Sequence, residues 1–160
     1  MPSATASVRG EAPDGRYSDT DVMAECIFCN ISTGDADASV VYRDSDCIAF
    51  MDVAPINEGH ILVVPRQHAE RLADLDEGAA AHVMAITHRV SAAVRASGVP
   101  CDAIFLFLAD GEVAGQEVPH VHMHIVPRFV GDTFRIPECG RPVARAELDT
   151  TSAQIAAALA

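Results

Sequence analysis

The segment His120-Val121-His122-Met123-His124-Ile125-Val126-Pro127 sets three imidazoles at alternate positions, with apolar residues between them. Side chains alternate between faces in an extended strand. His120, His122 and His124 would therefore form a row with steps of about 6–7 Å, opposite Val121, Met123 and Ile125. Polar occupation of every position on one face needs a chemical reason. Two chemistries suit it. Histidines at i and i+2 can give two ligands to a catalytic zinc that keeps an open position for water. A neutral imidazole can instead attack phosphorus near pH 7 and, once phosphorylated and protonated, leave readily, which splits one slow displacement into two faster ones. The residues alone leave both open. His82 and His88 lie singly on a helical stretch and read as histidines with ordinary hydrogen bonds.

Cys26 and Cys29 form a C-x-x-C pair within a set of five cysteines. In a reduced compartment this spacing reads as metal or redox chemistry before it reads as a disulfide framework. Two thiolates supply half of a tetrahedral structural zinc site, so two more ligands are needed. No βαβ pattern of the thioredoxin kind surrounds the pair, which disfavours a redox role. Cys47, Cys101 and Cys139 stand alone and read as small core or inert residues.

The elements that must position these groups follow from pattern. β-branched and aromatic residues cluster between turn formers in Ser39 to Arg43, Cys47 to Asp52, His60 to Arg66, Ala103 to Ala109 and His120 to Pro127, predicting five strands. The polar link Arg43-Asp44-Ser45-Asp46 suits a hairpin, and Gly59 can take positive φ in the next turn, so the first three strands form an antiparallel meander. A helix begins at the N-cap Asp76 and ends at Gly98, with Val83, Ile86, Val90 and Val94 facing the sheet. A second helix, roughly Arg145 to Leu159, carries Leu148, Ile155 and Leu159 on one face and is expected to pack without taking part in chemistry. Residues 1–24 lack periodic apolar groups and are expected to be a disordered tail, with one domain over 25–160. The expected fold is α+β: a five-stranded antiparallel sheet with two main helices on one face.

The chain has 160 residues, 49% of them hydrophobic, which suits one core. Eleven basic residues against 23 acidic ones give a net charge of −12. That balance argues against nucleic-acid or anionic membrane partners, so any phosphate is expected on a small molecule. No stretch approaches the roughly 18–20 apolar residues of a membrane span, and no basic-then-apolar segment opens the chain. A cytoplasmic location is expected.

The row His120 to Val126 fits His-φ-His-φ-His-φ-φ, φ being apolar, and by this motif the sequence resembles the histidine triad family of nucleotide-binding proteins. The likeness extends through Cys26-Ile27-Phe28-Cys29-Asn30-Ile31, Ala49-Phe50-Met51-Asp52, Gly59-His60-Ile61-Leu62-Val63-Val64-Pro65-Arg66 and Gly115-Gln116-Glu117-Val118, covering about Glu25 to Arg135. The resemblance implies a homodimer in which two five-stranded sheets join, and hydrolysis or transfer of nucleoside monophosphate groups at the α-phosphate. By position, His122 would be the nucleophile, His124 would bind phosphate oxygens, and His60 would share their pocket. Gln116 would contact phosphate or the bridging atom. Asp52 would accept hydrogen bonds from the ribose hydroxyls, a match of carboxylate to vicinal diol. Ile27, Phe28 and Val53 would form the slot for a base, purine preferred.

The same resemblance implies a structural zinc held by Cys26, Cys29, His68 and His120, with no open coordination position and no organic cofactor. Glu117 and Ala109 stand where the phosphoramidase branch of the family frequently has Ser or Thr, and Asn. The activity implied is cleavage of nucleoside phosphoramidates or related adenylates. Hydrolysis or phosphorolysis of dinucleoside polyphosphates is one alternative, and a nucleotide-binding regulatory module with little catalysis is another.

Overall fold

The computed structural model describes residues 26–135, 140 and 142–159. The expected tail 1–24 and Cys139 lie outside the described residues. In chain order the elements are helix α1 (Ile27–Thr33), strands β1 (Val40–Arg43), β2 (Cys47–Met51) and β3 (Ile61–Pro65), helix α2 (Glu77–Ala96), strands β4 (Ala103–Phe107) and β5 (Met123–Arg128), and helix α3 (Arg145–Ala158). The strands form one antiparallel sheet in the order β1-β2-β3-β5-β4. This is the α+β, five-stranded arrangement expected from the sequence.

Alternation along β2 and β3 divides the core into two layers. Cys47, Ala49, Ile61, Val63 and Ile125 meet Val83, Ile86, Val90 and Val94 of α2. Each such aliphatic side chain contributes about 1.5–3 kcal/mol when fully buried. The Asp76 carboxylate caps α2 by accepting from Ala79 N–H at 3.0 Å. On the opposite face Ile48, Phe50, Leu62 and Val64 meet Cys26, Phe28, Cys29 and Ile31. Helices therefore cover both faces of the sheet, not one as expected. The second cover is α1, a seven-residue helix too short to leave a periodic signature.

Two further expectations change. The strand predicted from His120 begins at Met123, because the preceding residues leave the ladder: Val121 N–H donates to Ala69 O at 2.8 Å, and His120 N–H to Val118 O at 2.8 Å. Helix α3 forms where expected, yet none of its residues is buried, and Leu148 and Ile155 are exposed. Its apolar face has no partner among the described residues of one chain.

The turn before β3 is tight. Gly59 has φ +83°, and a Cβ there would meet Val99 Cγ1 at 2.8 Å, so only glycine fits without a shift. It delivers His60 to the start of the central strand β3, where His60 O accepts from Asp52 N–H at 3.0 Å.

Candidate functional site

The first cluster is built by four segments. Cys26 caps α1, Cys29 lies within it, His68 follows β3, and His120 precedes β5. One donor atom from each lies within 4.8 Å of the other three. Cys26 Sγ is 3.3 Å from His120 Nδ1, and Cys29 Sγ is 3.4 Å from His68 Nδ1 and 3.7 Å from His120 Nδ1. Bonds of about 2.3 Å to sulfur and 2.0–2.1 Å to nitrogen at tetrahedral angles put S and N about 3.6 Å apart, so these spacings fit one four-coordinate ion.

The ring chemistry agrees. His120 Nε2–H donates to Pro65 O at 2.9 Å, which leaves the Nδ1 lone pair facing the sulfurs. Burial depresses the His120 pKa to about 4, so the ring is neutral, as a ligand must be. Burial, with help from Cys26, pushes the Cys29 thiol up to about 12. Without a cation nearby it would stay protonated. The residues present fit a metal that is closed on all four sides.

The second cluster adjoins the first through the peptide of His120. His122 Nδ1–H donates to His120 O at 2.6 Å; a carbonyl only accepts, so the neutral ring carries its free lone pair on Nε2. Phe28 packs edge-on against this ring, with centroids 5.1 Å apart. His124 sits in β5, opposite Leu62 of β3 and Phe107 of β4. The Phe107 ring stacks on it at 4.0 Å and 6°. His60 Nδ1 accepts from Ile56 N–H at 3.2 Å, so Nε2 bears the proton and donates to His124 Nδ1 at 2.9 Å. His124 in turn keeps its proton on Nε2. Asp52 Oδ1 accepts from Ala54 N–H at 2.8 Å, and Oδ2 lies 3.3 Å from His60 Nδ1.

Burial lowers the pKa of His60, His122 and His124, the last to about 4. For His122 the His120 carbonyl and the charges of Asp52 and Glu117 oppose burial without overcoming it. All three rings are thus neutral at pH 7, and His122 presents an unprotonated nitrogen.

The remaining sequence-predicted residues are less concentrated. Gln116 is committed to main chain: Oε1 accepts from Gly111 N–H at 2.7 Å, and Nε2 donates to Glu70 O at 2.8 Å. It clips two loops beside a groove of about 700 Å³ lined by Glu70, Arg71, Glu112 and Glu117 among others. Ile27 and Val53 are exposed, whereas Phe28 is buried against Phe50 and His122. Ala109 is buried. Sequence reasoning missed Phe107; its position on the strand that pairs with β5 was the available signal.

A family profile described as HIT domain matches residues 33–131. The chain belongs to the HIT domain family. An uncharacterized HIT-like protein of Methanocaldococcus jannaschii is 40% identical over 107 residues, 67% of this chain and 81% of that protein. An adenosine 5'-monophosphoramidase of Schizosaccharomyces pombe is 32% identical over 64% of this chain and 74% of its own length. An adenylylsulfatase of Arabidopsis thaliana is 31% identical over 74% of this chain and 60% of its own. Among solved structures, a HIT family member from Bacillus subtilis superposes with TM-score 0.80 at 32% identity, covering 85% of this chain and 98% of that one. A zinc-bound histidine triad protein from Mycobacterium smegmatis gives 0.67 at 34% identity, covering 85% and 99%. The HIT fold thus accounts for the sheet and for the position of the triad. Among the described residues no helix is long and apolar enough to cross a membrane.

Proposed function

We propose that this HIT protein hydrolyses nucleoside phosphoramidates or related adenylates at the α-phosphate, through a nucleotide carried transiently on His122. The observation that carries this reading is the His122 Nδ1–H bond to His120 O, which leaves Nε2 free on a neutral ring. That nitrogen attacks phosphorus, and the bond to the leaving group breaks. The departing amine takes a proton from solvent, matched by the proton that the attacking water gives up in the second step, while His124 Nε2–H, next to His122, serves as a hydrogen-bond donor and keeps its proton. Water then attacks the phosphorus, the P–N bond to His122 breaks, and the nucleotide is released. His124 Nε2–H stabilises charge on the phosphate oxygens, and His60 holds that ring in position through its bond to Nδ1. Asp52 holds the ribose, and Ile27, Phe28 and Val53 border a purine.

Cys26, Cys29, His68 and His120 would hold a structural zinc, which supplies folding energy and no reaction step. The groove that Gln116 borders, one of whose walls, Glu117, acts electrostatically on His122, supports an amine leaving group over a polyphosphate one, since Glu70, Glu112 and Glu117 outnumber Arg71 there. The same reading makes the protein a cytoplasmic homodimer, its sheets joined through β4, an edge strand with Leu106 exposed.

The test is incubation with adenosine 5'-phosphoramidate. AMP should accumulate, and rapidly quenched samples should show protein heavier by one nucleotidyl group, lost in His122→Ala. Full turnover by that variant would overturn the assignment. Tight AMP binding without turnover of any adenylated substrate would favour a regulatory module.

A further inference from the structure

Among the described residues two groups of potential ligands remain once the four-residue cluster is set aside: Asp44, Asp46 and His82, and Asp52, His60 and His124. The first is already consumed. Asp44 accepts from the N–H groups of Asp46 and Cys47, from Tyr42 Oη–H and from the His82 ring. In the second, one donor atom per residue lies within 4.8 Å of the others, and the two imidazoles, with ring centroids 5.1 Å apart, are joined by the 2.9 Å bond from His60 Nε2–H to His124 Nδ1.

We propose that His60 and His124 form a second, weaker zinc-class site, backed by Asp52, which closes the catalytic pocket when filled. The ion takes the place of the shared proton. His60 changes tautomer: its proton moves from Nε2 to Nδ1, where Asp52 Oδ2, 3.3 Å away, accepts it in place of the contact from Ile56 N–H. His60 Nε2 and His124 Nδ1 then both offer lone pairs, and no proton leaves the protein. Two nitrogens on a tetrahedral ion stand about 3.3 Å apart, so the rings must part by a few tenths of an ångström. The result is a carboxylate–histidine–metal relay, the arrangement that fixes ring orientation and raises ligand basicity. Two imidazoles favour zinc, copper or nickel over magnesium or calcium. With only two side-chain ligands the remaining positions go to water, which makes the site weaker than the Cys/His cluster.

Closure of the pocket rests on the nucleotide reading above; the metal site does not. Protein carrying one zinc per chain, freed of excess metal, is titrated calorimetrically with zinc chloride in a non-chelating buffer, and retained zinc is counted by elemental analysis. One further equivalent is expected, absent in both His60→Gln and His124→Gln and weakened about 10–100-fold in Asp52→Asn. AMP at about ten times its Kd should weaken this second binding about tenfold. Circular dichroism checks that each variant is folded, and His124, the less buried ring, keeps the test valid if His60→Gln is not. No zinc beyond the first equivalent at millimolar metal, or a second equivalent kept by the folded variants, would overturn the proposal. If AMP fails to bind while the second equivalent is present and lost in the variants, the nucleotide reading fails and the site stands.

Discussion

His120 serves two centres from opposite ends: its Nδ1 lies 3.3 Å from Cys26 Sγ, and its carbonyl accepts the Nδ1–H of His122 at 2.6 Å. The ring is held from a third side by Pro65 O. The peptide that fixes the tautomer of His122 is therefore anchored by the Cys/His cluster. Loss of that anchor loosens the direction of the Nε2 lone pair while removing nothing that touches substrate.

Replacing Cys29 by Ser should accordingly act on both stability and turnover. The loss of a structural ion costs several kcal/mol, roughly 10 °C in Tm for a domain of this size. At temperatures where the variant remains folded, kcat should fall about tenfold or more while KM moves less, because orientation of the nucleophile matters most in the transition state. Zinc content should drop from one per chain. Cys101→Ser, altering a partly exposed thiol outside both clusters, is the control and should change none of these.

Much of this geometry was legible in the sequence, and the misses have physical causes. The Cys26, Cys29, His68 and His120 cluster, the His60 and His124 pair and the packing face of α2 all follow from residue type, family motif and period. The start of β5 does not, because two main-chain bonds to Val118 and Ala69 pull His120 and Val121 out of the ladder. The strand rule put His120 in one row with His122 and His124, whereas its ring belongs to the Cys/His cluster. Helix α1 escaped because seven residues show no full period, and its apolar side chains pack on the sheet face opposite α2. The apolar stripe on α3 was legible, but Leu148, Ile155 and Leu159 are exposed, so the expected packing is not seen among the described residues.

Acid should destabilise the end of the β-sheet in a defined direction. Arg128, with help from Asn57, holds the Asp132 carboxyl well below the usual carboxylate range, against the opposing effect of burial. A depressed folded pKa means stability that is complete above the unfolded value of about 4 and lost as pH falls through the folded one. Urea midpoints measured from about pH 5 down to about pH 2 should fall more steeply for the natural protein than for Asp132→Asn. Parallel curves would show that the carboxylate adds nothing.

Phe107→Leu should separate apolar packing from ring orientation. Leucine keeps most of the apolar surface on β4 but removes the stack on His124, worth about 0.5–1.5 kcal/mol. The Tm change should be small. If the stack holds the His124 ring in the position the proposed function needs, kcat/KM should fall about tenfold. A variant with unchanged kcat/KM would mean that the His60 bond alone is enough to fix His124.

Gln116 offers the sharpest contrast between motif and geometry. Position in the family motif assigns its amide to phosphate or the bridging atom, but both ends of that amide are engaged by main chain, at Gly111 N–H and Glu70 O. Each bond is worth about 0.5–1.5 kcal/mol net, so Gln116→Ala should cost about 1–3 kcal/mol of stability. The groove walls formed by Glu70, Arg71 and Glu112 would lose their clip. A positioning role predicts that KM rises more than kcat falls, with the loss varying according to the leaving group. Direct contact with the transition state predicts the reverse: a large fall in kcat, of about a hundredfold, with the urea midpoint unmoved. Steady-state kinetics on two phosphoramidates differing only in their amine, alongside equilibrium unfolding, discriminate the two, because a clip and a catalytic contact cannot both leave stability untouched and lower kcat alone.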